Sequence, residues 1–319
     1  IASDLTLNPG ESKIISIRIW LDINTPNTEI GKVFSAKITS NGVGSEYVES
    51  KLATDVIISL LDSNPDTMNN DDPDGNIRYM GADPNNYVSF NNELWRIIGV
   101  FDVKSSENGE SEKRLKIIRN DPIGNYSWDS NDRNNWATAS LNTYLNATYL
   151  NSLTSEAESM IGNTLWNLGG TNSYTSASNG LASHFYNYER GTTVYSGNPT
   201  TWVGKIALMY PSDYGYATSG GTTTNRASCL AKELYNWDSS SYSDCKNNDY
   251  LYDSSNYQWT LTSRSNTNFV FYIYSSGYVN SNYTFDFKGT RPTLYLNSNV
   301  LIASGDGTQN NPYILQAGD

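Results

Sequence analysis

The sequence predicts an α+β fold in which two consecutive helices lie on a sheet of short strands. Short apolar runs bounded by Gly, Pro and Asn are typical of strands and turns, and they recur over 76–120 and 203–315. Between them, apolar residues at helical spacing occupy 136–166. Residues 1–40 add alternating apolar runs that are typical of a β-sandwich.

The composition favours an exported protein with a sizeable core. Of its 319 residues, 17% are charged and 13% are aromatic, including 24 Tyr and 8 Trp. The net charge of −12 argues against nucleic acids and anionic membranes as partners, because both require a basic surface. No apolar run reaches the ~18 residues that a membrane-spanning helix needs, so membrane insertion is not expected. We therefore expect an extracellular or cell-surface protein.

Residues 1–44 are predicted to form part of a β-sandwich. Ile15, Ile17 and Ile19 alternate with polar residues, which indicates a half-buried strand, and residues 34–38 repeat the pattern. Two or three strands are too few to fold independently. They need partners from elsewhere in the chain, from another subunit or from a missing piece.

This segment also carries a family resemblance. Leu7-Asn-Pro-Gly-Glu-Ser12, 17–22 and 31–38 resemble the closing strands of the camelysin/TasA-type sandwich of Gram-positive surface and biofilm-fibre proteins. The front half of that sandwich is absent. One alternative hypothesis follows, in which the strands at 1–40 complete a neighbour's sandwich and build an extracellular fibre or pilus by strand addition.

A connecting helix and an acidic linker are predicted over 45–75. Apolar residues between 46 and 62 recur at helical spacing, although Val and Ile also suit a strand. Residues 62–75 are polar and acidic, which favours a solvated linker at a domain boundary. Their oxygen ligands would also suit Ca²⁺, but no EF-hand register fits, since the sixth position from Asp62 is Thr67 and the twelfth is Pro73.

The domain at 76–319 supplies the sheet and the helices. Residues 87–90 and 94–101 are predicted to form a hairpin around Asn91 and Asn92. Thr154 is the expected N-cap of the second helix. Further strands are predicted at 115–119, 203–210, 259–262, 269–274 and in three short runs between 285 and 315, which tie this last segment into the sheet.

Three loops are the predicted recognition surface. Residues 167–200, 219–225 and 238–257 are rich in Tyr, Ser, Gly and Asn, the composition of adaptable binding loops, and long loops in compact domains tend to be functional. The same loops would alternatively cover the core or form subunit contacts. The candidate binding residues on and beside these loops are Tyr174, His184, Tyr186, Tyr188, Tyr195, Trp202, Tyr242 and Tyr252.

Residues 76–315 resemble a family of secreted or surface-attached Firmicutes proteins that contain a domain of unknown function. The shared marks are Trp95-Arg-Ile-Ile-Gly-Val100, Leu141-Asn-Thr-Tyr-Leu145, 208–217, Cys229 with Cys245, Trp259-Thr-Leu-Thr262, Arg291-Pro-Thr-Leu-Tyr-Leu296, and Gly305-Asp-Gly-Thr308 with Asn311-Pro-Tyr-Ile314. The pattern is similar to the C-type-lectin-like fold of formylglycine-generating enzymes and of phage or bacterial variable receptor proteins. The resemblance implies an extracellular recognition scaffold in which the first and last strands pair.

The two cysteines predict a disulfide outside the cell or, alternatively, two buried thiols. Cys229 and Cys245 are sixteen residues apart. The cysteines of the formylglycine-generating enzymes lie only a few residues apart, so copper-thiol oxidase chemistry is not expected here.

Catalytic motifs are absent from the sequence, which contains no HExxH, nucleophile elbow, glycine-rich phosphate loop or CxxC. His184 is the one histidine and is predicted to lie in a polar loop. Glu189 and Asp213 form a candidate carboxylate pair for glycoside hydrolysis, although Asp213 is more typical of a turn-capping residue. Arg291 is expected to pair with a carboxylate or with carbonyl groups.

These observations predict a non-enzymatic recognition or adhesion protein without cofactor or metal. Aromatic rings stack on sugar faces and neighbouring amides bond hydroxyl groups, so the expected ligand is a glycan or, alternatively, a protein. The fibre subunit built through residues 1–40 and a hydrolase that uses acidic residues are the two other hypotheses.

Overall fold

The computed structural model describes residues 50–318. They belong to the compact unit Val48–Asp319. The predicted partial sandwich at 1–44 lies outside the described residues, and so does the fibre assembly that would use it. Both stay predictions.

Seventeen strands lie within residues 50–318. They are β1 Lys51–Leu52, β2 Met68–Asn69, β3 Ile77–Tyr79, β4 Tyr87–Phe90, β5 Glu93–Lys104, β6 Ser111–Arg119, β7 Asn125–Ser127, β8 Thr164–Asn167, β9 Thr201–Gly204, β10 Ile206–Ala207, β11 Gln258–Ser263, β12 Phe269–Ile273, β13 Val279–Tyr283, β14 Phe287–Gly289, β15 Thr293–Tyr295, β16 Leu301–Ser304 and β17 Tyr313–Gln316.

Seven α-helices lie in the same part of the chain. They are α1 Ala53–Ser59, α2 Ser140–Thr143, α3 Ser155–Ser159, α4 Ala182–Glu189, α5 Pro211–Ala217, α6 Arg226–Leu230 and α7 Ser243–Asn247. Short 3₁₀ turns span Trp136–Thr138, Leu150–Ser152, Leu234–Asn236 and Ser240–Tyr242, and a π-helical turn spans Tyr144–Tyr149. With mostly antiparallel strands and short helices, the domain is α+β, as the sequence predicts.

The strands form three sheets. The largest has the order β1-β16-β17-β4-β5-β6-β15-β10, with β3 added beside β5 and β2 beside β3. A five-stranded sheet has the order β13-β12-β11-β14-β7, and β8 pairs with β9 alone. The long β5–β6 pair forms the centre of the large sheet and carries one wall of the cavity described below.

The predicted hairpin at 87–101 is confirmed. β4 and β5 pair antiparallel with Phe90 opposite Glu93. Asn91 and Asn92 have φ values of 56° and 58°. Positive φ at both central residues is what a tight two-residue turn between twisted strands requires, and Asn tolerates it better than most side chains.

The segment 50–75, in which a short helix and an acidic linker at 62–75 were predicted, is attached to the large sheet. β1 pairs with β16, and α1 buries Ala53 and Ile57. β2 pairs with β3, and the side chain of Asp72 is fully buried against Arg78. Most of the acidic stretch at 62–75 is exposed, as predicted, whereas Asp72 is neutralised inside the fold. The predicted short helix in this segment is confirmed as α1.

The predicted helical region after residue 136 is confirmed, but it is not one regular α-helix. α2 continues through the π-helical turn into a 3₁₀ turn that ends at Ser152. The side chain of Thr154 accepts a hydrogen bond from the Ala157 backbone N–H at 3.2 Å, so it caps α3 as expected.

Two predicted segments need correction. The predicted buried strand at 203–210 is divided between two sheets: β9 ends at Gly204 and pairs with β8, and β10 spans only Ile206–Ala207 and pairs with β15. The predicted polar loop around His184 is helix α4. Its buried residues Ala182, Phe185, Tyr186 and Glu189 recur at the spacing of one helix face.

Helices α4 and α5 pack closely because residue 215 is glycine. A Cβ atom at Gly215 would lie 2.6 Å from the Cβ of Ala182 and 3.1 Å from the Leu234 side chain. This contact sets the C-terminal end of α4 beside the first turn of α5. It thereby brings Glu189 within hydrogen-bond distance of Ser212.

The predicted disulfide is confirmed. Cys229 in α6 and Cys245 in α7 are bonded, with both side chains buried. In the chain-entropy account, closing a loop of this length contributes about 3 kcal/mol to the free energy of unfolding. No helix within residues 50–318 is long and apolar enough to cross a bilayer.

Candidate functional site

A cavity of about 300 Å³ opens beside the central hairpin of the large sheet. We call it the Arg190 pocket. It is lined by Asp74, Asn76, Phe101, Asp102, Val103, Lys104, Ser111, Leu165, Trp166, Asn167, Tyr186, Arg190, Tyr210 and Tyr295. The volume lies at the lower end of the range for small-molecule pockets, roughly 300–1,000 Å³.

The aromatic wall of the pocket is supplied by distant parts of the chain. Tyr295 of β15 packs against Phe101 of β5 at 6.0 Å between ring centres and against Trp166 of β8 at 4.9 Å. Tyr210 also belongs to this wall. Its hydroxyl donates a hydrogen bond to the Asn167 carbonyl at 2.9 Å and accepts one from the Asn167 N–H at 3.0 Å. Rings held in this way present a fixed surface to a ligand.

Arg190 follows α4 and provides a partly accessible cation of the pocket. Its guanidinium lies flat over the Tyr186 ring, with Cζ 3.3 Å from the ring centre. Nη1 donates to the Tyr186 carbonyl at 3.2 Å and to Glu189 Oε2 at 3.3 Å. Nε lies 3.8 Å from Asp74 Oδ2, and the side chain is 24% exposed.

Tyr186 links the rim of the pocket to the chain before β3. Its hydroxyl donates to Asp74 Oδ2 at 2.6 Å and accepts from Asn76 Nδ2 at 2.7 Å. Burial, assisted by the bond to Asp74, raises the pKa of Tyr186 above its ordinary value despite the nearby Arg190. The phenol is therefore neutral and serves as a structural donor.

A buried network of charges forms the floor beneath the rings. Asp213 Oδ2 lies 2.5 Å from Lys116 Nζ, and Asp213 Oδ1 lies 3.0 Å from Arg78 Nη1. Arg78 Nε also contacts Asp72 Oδ2 at 2.7 Å. All four side chains are at most 2% exposed. Buried charges persist only when they are paired, as these are.

Asp213 caps the first turn of α5 as well. Its Oδ2 accepts a hydrogen bond from the Tyr210 backbone N–H at 2.8 Å, which confirms the capping role predicted from the sequence. Burial alone would raise the pKa of this carboxyl. The cations Lys116 and Arg78 outweigh burial and hold it below its ordinary value.

The ammonium group of Lys116 lies among rings that line the pocket. Nζ is 4.4 Å from the Tyr210 ring centre, 5.4 Å from those of Phe101 and Tyr295, and 5.6 Å from that of Trp166. Burial lowers the pKa of Lys116 to about 8, although Asp213 opposes the shift. At pH 7 the group is still mostly charged.

Glu189, the last residue of α4, lies beside this buried network of charges. Its side chain is fully buried, and it accepts from the Ser212 N–H at 3.0 Å and from Ser212 Oγ at 2.5 Å. Burial raises the pKa of Glu189 to about 7, although Arg190 and Ser212 oppose the shift. Strongly perturbed carboxyls beside a cavity are typical of functional sites.

The predicted binding residues do not converge on one site. Tyr186 is the one of the eight that lines the Arg190 pocket. Tyr174, predicted as an exposed loop residue, is 7% exposed, and its hydroxyl donates to Asn280 at 2.8 Å. Its ring packs edge-on against Phe271. The composition of the loop therefore gave no indication that Tyr174 is a core residue.

The other predicted residues occupy separate surroundings. His184 lies on α4, where its Nδ1 accepts from the Leu181 N–H at 3.3 Å. Tyr195 is 38% exposed, and Tyr252 donates to the Ser275 carbonyl. The remaining three make ring contacts: Tyr188 with Phe185, Trp202 with Trp136, and Tyr242 with Lys232.

Most residues of the pocket were missed by sequence reasoning. Phe101 and Tyr295 have the pattern of core strand residues, and Arg190 directly follows Glu189 in an otherwise low-charge segment. The adjacent acid and base in a Tyr-rich segment were the available signal. Arg291, by contrast, bonds the carbonyls of Arg119 and Leu251 as predicted.

Within 50–318 no group of three or more His, Cys, Asp or Glu side chains is placed to hold a metal ion. Comparisons with known family models, curated proteins and solved structures found no match. The resemblances to C-type-lectin-like and camelysin/TasA-type proteins therefore stay predictions.

Proposed function

We propose that this protein is an extracellular recognition protein, without enzymatic activity, whose Arg190 pocket binds a sugar residue of a glycan. One observation carries the proposal. A cavity of about 300 Å³ combines five aromatic side chains, Phe101, Trp166, Tyr186, Tyr210 and Tyr295, with a few polar groups at its edge. Apolar walls with a small number of placed polar groups are the general pattern of small-molecule sites.

The polar groups suit a hydroxylated ligand. The side-chain amide of Asn167 makes no hydrogen bond with any residue in the described range 50–318, and it lines the cavity. Asp74 is 62% exposed and retains acceptor capacity on Oδ1. An amide and a carboxylate beside aromatic rings can bond sugar hydroxyls while the rings cover the apolar face of the sugar.

The floor of the pocket supports binding rather than catalysis. Both oxygens of Asp213 are engaged by Lys116 and Arg78, and both oxygens of Glu189 are engaged by Ser212. A carboxylate held in this way stabilises the fold and is not poised to attack a substrate. The disulfide between Cys229 and Cys245 supports an extracellular location.

A steric block tests the proposal. Val103 is half-buried and lines the pocket, whereas Val203 is 42% exposed on β9 and does not line it. We expect Val103→Trp to abolish binding to glycans that the native protein binds on a mixed panel. The matched variant Val203→Trp should bind as the native protein does.

Two controls complete this test. Tyr195→Ala should leave binding unchanged, because Tyr195 lies outside the pocket. Thermal unfolding of each variant shows whether it is folded. Glycan binding that survives Val103→Trp, or a native protein that binds no glycan, would remove the pocket from the function; a protein ligand captured through the loops would then take its place.

A hydrolase is the second candidate: burial raises the pKa of Glu189 to about 7, so this carboxyl could donate a proton near neutral pH. Its side chain is fully buried and does not line the pocket, which favours the binding function over the hydrolase. In this reading Glu189→Gln abolishes the release of product from a bound glycan while binding persists. If the native protein releases no product from the glycans it binds, the hydrolase is rejected.

A further inference from the structure

One edge of the Arg190 guanidinium has no hydrogen-bond partner. Nη1 is used by the Tyr186 carbonyl and by Glu189. Nη2 donates to no residue in the described part of the chain, and Nε has only the long 3.8 Å contact with Asp74. Nε and Nη2 together form the planar fork that binds both oxygens of a carboxylate.

This free edge is held in place. The stacking on Tyr186 at 3.3 Å and the two bonds of Nη1 fix the plane of the guanidinium. A pre-organised fork loses little side-chain entropy when a ligand binds. The 24% exposure of the side chain and its place in the lining show that the group is accessible from the cavity.

The lining of the cavity carries as many cations as carboxylates, Arg190 and Lys104 beside Asp74 and Asp102, whereas the protein as a whole is acidic. The net charge of the chain is −12. Lys104 lies on the rim, and Lys116 lies behind the rings of the wall. The Arg78 guanidinium is 4.6 Å from the Phe101 ring centre, and its Nη2 is buried without a hydrogen-bond partner in residues 50–318.

We propose that the ligand of the Arg190 pocket is an acidic sugar whose carboxylate pairs with Nε and Nη2 of Arg190. This inference rests on the proposed function, because it names the chemistry of the sugar that the same pocket binds. The rings of the wall cover the sugar, the Asn167 amide bonds a hydroxyl group, and the carboxylate takes the free edge of Arg190.

Asp74 has a defined part in this arrangement. Its Oδ2 faces the same edge of Arg190 at 3.8 Å and is the negative group that the ligand carboxylate must displace or approach. The neighbouring Asp102 also lines the pocket, but it is paired with Lys113 at 2.9 Å. Neutralising Asp74 therefore favours an acidic ligand, and neutralising Asp102 has little effect on it.

The test compares two probes that differ only in the acidic group: methyl β-glucuronide and methyl β-glucoside. Calorimetric titration of the native protein at pH 7 and low salt should give an affinity for the glucuronide that is roughly tenfold or more higher. Arg190→Gln should remove this preference. Arg190→Lys, which keeps the charge without the fork, should remove most of it.

The two aspartates provide a matched pair. Asp74→Asn should raise the affinity for the glucuronide relative to that for the glucoside, by roughly threefold or more, because it removes the negative charge that faces Arg190. Asp102→Asn should change neither affinity by more than about twofold. Thermal unfolding confirms that each variant is folded, and the Lys variant keeps the inference testable should the Gln variant fail to fold.

The outcomes separate this inference from the proposed function. Equal affinities for the two sugars, unaffected by Arg190→Lys, overturn the acidic-sugar inference and leave the pocket as a neutral-sugar site. Binding of neither sugar overturns this inference, while the Val103→Trp test on a mixed panel decides the proposed function by itself. Binding of a peptide with a free C-terminal carboxylate, but not of its C-terminal amide or of the glucuronide, would assign the fork to a protein ligand instead.

Discussion

Lys116 and Lys288 both place an ammonium group among aromatic rings, but their surroundings differ. Lys116 lies under the Arg190 pocket, 4.4 Å from the Tyr210 ring centre, and Lys288 lies on the five-stranded sheet, 4.4 Å from the Tyr272 ring centre. Lys116 pairs at 2.5 Å with Asp213, which is 1% exposed. Lys288 pairs at 3.4 Å with Asp286, which is 33% exposed.

From this comparison we expect the burial of the anion, more than the number of rings, to determine how much each lysine's ion pair contributes to the free energy of unfolding. Removing one member of a buried pair leaves an uncompensated charge and costs several kcal/mol. Removing Asp286 should cost less, because water already reaches this carboxylate and can take its place beside Lys288, whose own side chain is 5% exposed. The ring contacts themselves are similar in the two places.

The largest expected effect comes from removing the buried anion. Asp213→Ala leaves Lys116 and Arg78 without their shared partner and should lower the free energy of unfolding by about 3–5 kcal/mol. Asp286→Ala is the matched change at the other lysine and should cost less than about 1 kcal/mol. Urea denaturation of both variants measures the difference, and equal losses would abolish the contrast between the two sites.

The next effect depends on pH. Burial raises the pKa of Glu189 from 4.5 to about 7, so between these values the folded protein binds more protons here than the unfolded chain does. This contribution to stability is present in full below pH 4.5 and is lost as the pH rises through about 7. Its size is on the order of 3 kcal/mol.

The variant Glu189→Gln isolates that contribution. Glutamine keeps the shape of the neutral carboxyl and has no proton to lose, so the variant should lack this fall in stability between pH 4.5 and 7. Urea denaturation across that range measures both proteins. Parallel pH profiles would mean that Glu189 does not change its protonation on folding.

Smaller effects are expected at Lys288 and at its neighbour Phe287. Lys288→Met keeps the aliphatic packing against Tyr272 and Trp259 and removes the charge, so the loss should be roughly 0.5–1 kcal/mol. Phe287→Ser, at a side chain that is 71% exposed, should change the stability by less than about 0.5 kcal/mol. A loss at Lys288 as large as that at Asp213 would show that ring contacts outweigh the buried ion pair.

Local features of this fold were readable from the sequence. The Asn91–Asn92 turn, the Thr154 cap, the capping role of Asp213 and the disulfide each depend on residues whose chemistry dictates a local geometry. Composition, in contrast, does not distinguish a tyrosine on a loop surface from one in the core, and Tyr174 shows the difference. Both environments select an amphipathic ring whose hydroxyl finds a partner.

Helix α4 illustrates a signal that was present and overlooked. Ala182, Phe185, Tyr186 and Glu189 have the spacing of one helix face, but the last of them is an acid. An apolar pattern that ends on a carboxylate reads as a loop unless the partner of the carboxylate is known. That partner is Ser212 in α5, and the sequence gives no indication of the pairing.

The Arg190 pocket was beyond sequence reasoning for the same reason. Its walls come from β5, β8, α4 and β15, which meet only after the large sheet has formed. The separation of Phe101, Trp166 and Tyr295 along the chain does not predict that the Tyr295 ring contacts the other two. The free edge of Arg190 is likewise a property of tertiary packing.

The pairing of β17 with β4 has a consequence for how the protein is made. Tyr313 lies opposite Val88 in parallel register, so one side of β4 stays without its partner until β17 has been synthesised. A nascent chain that lacks β17 therefore carries an open strand edge inside its future sheet, and such edges recruit other chains. Export in an unfolded state, with folding only after the whole domain has emerged, would spare the cell that hazard.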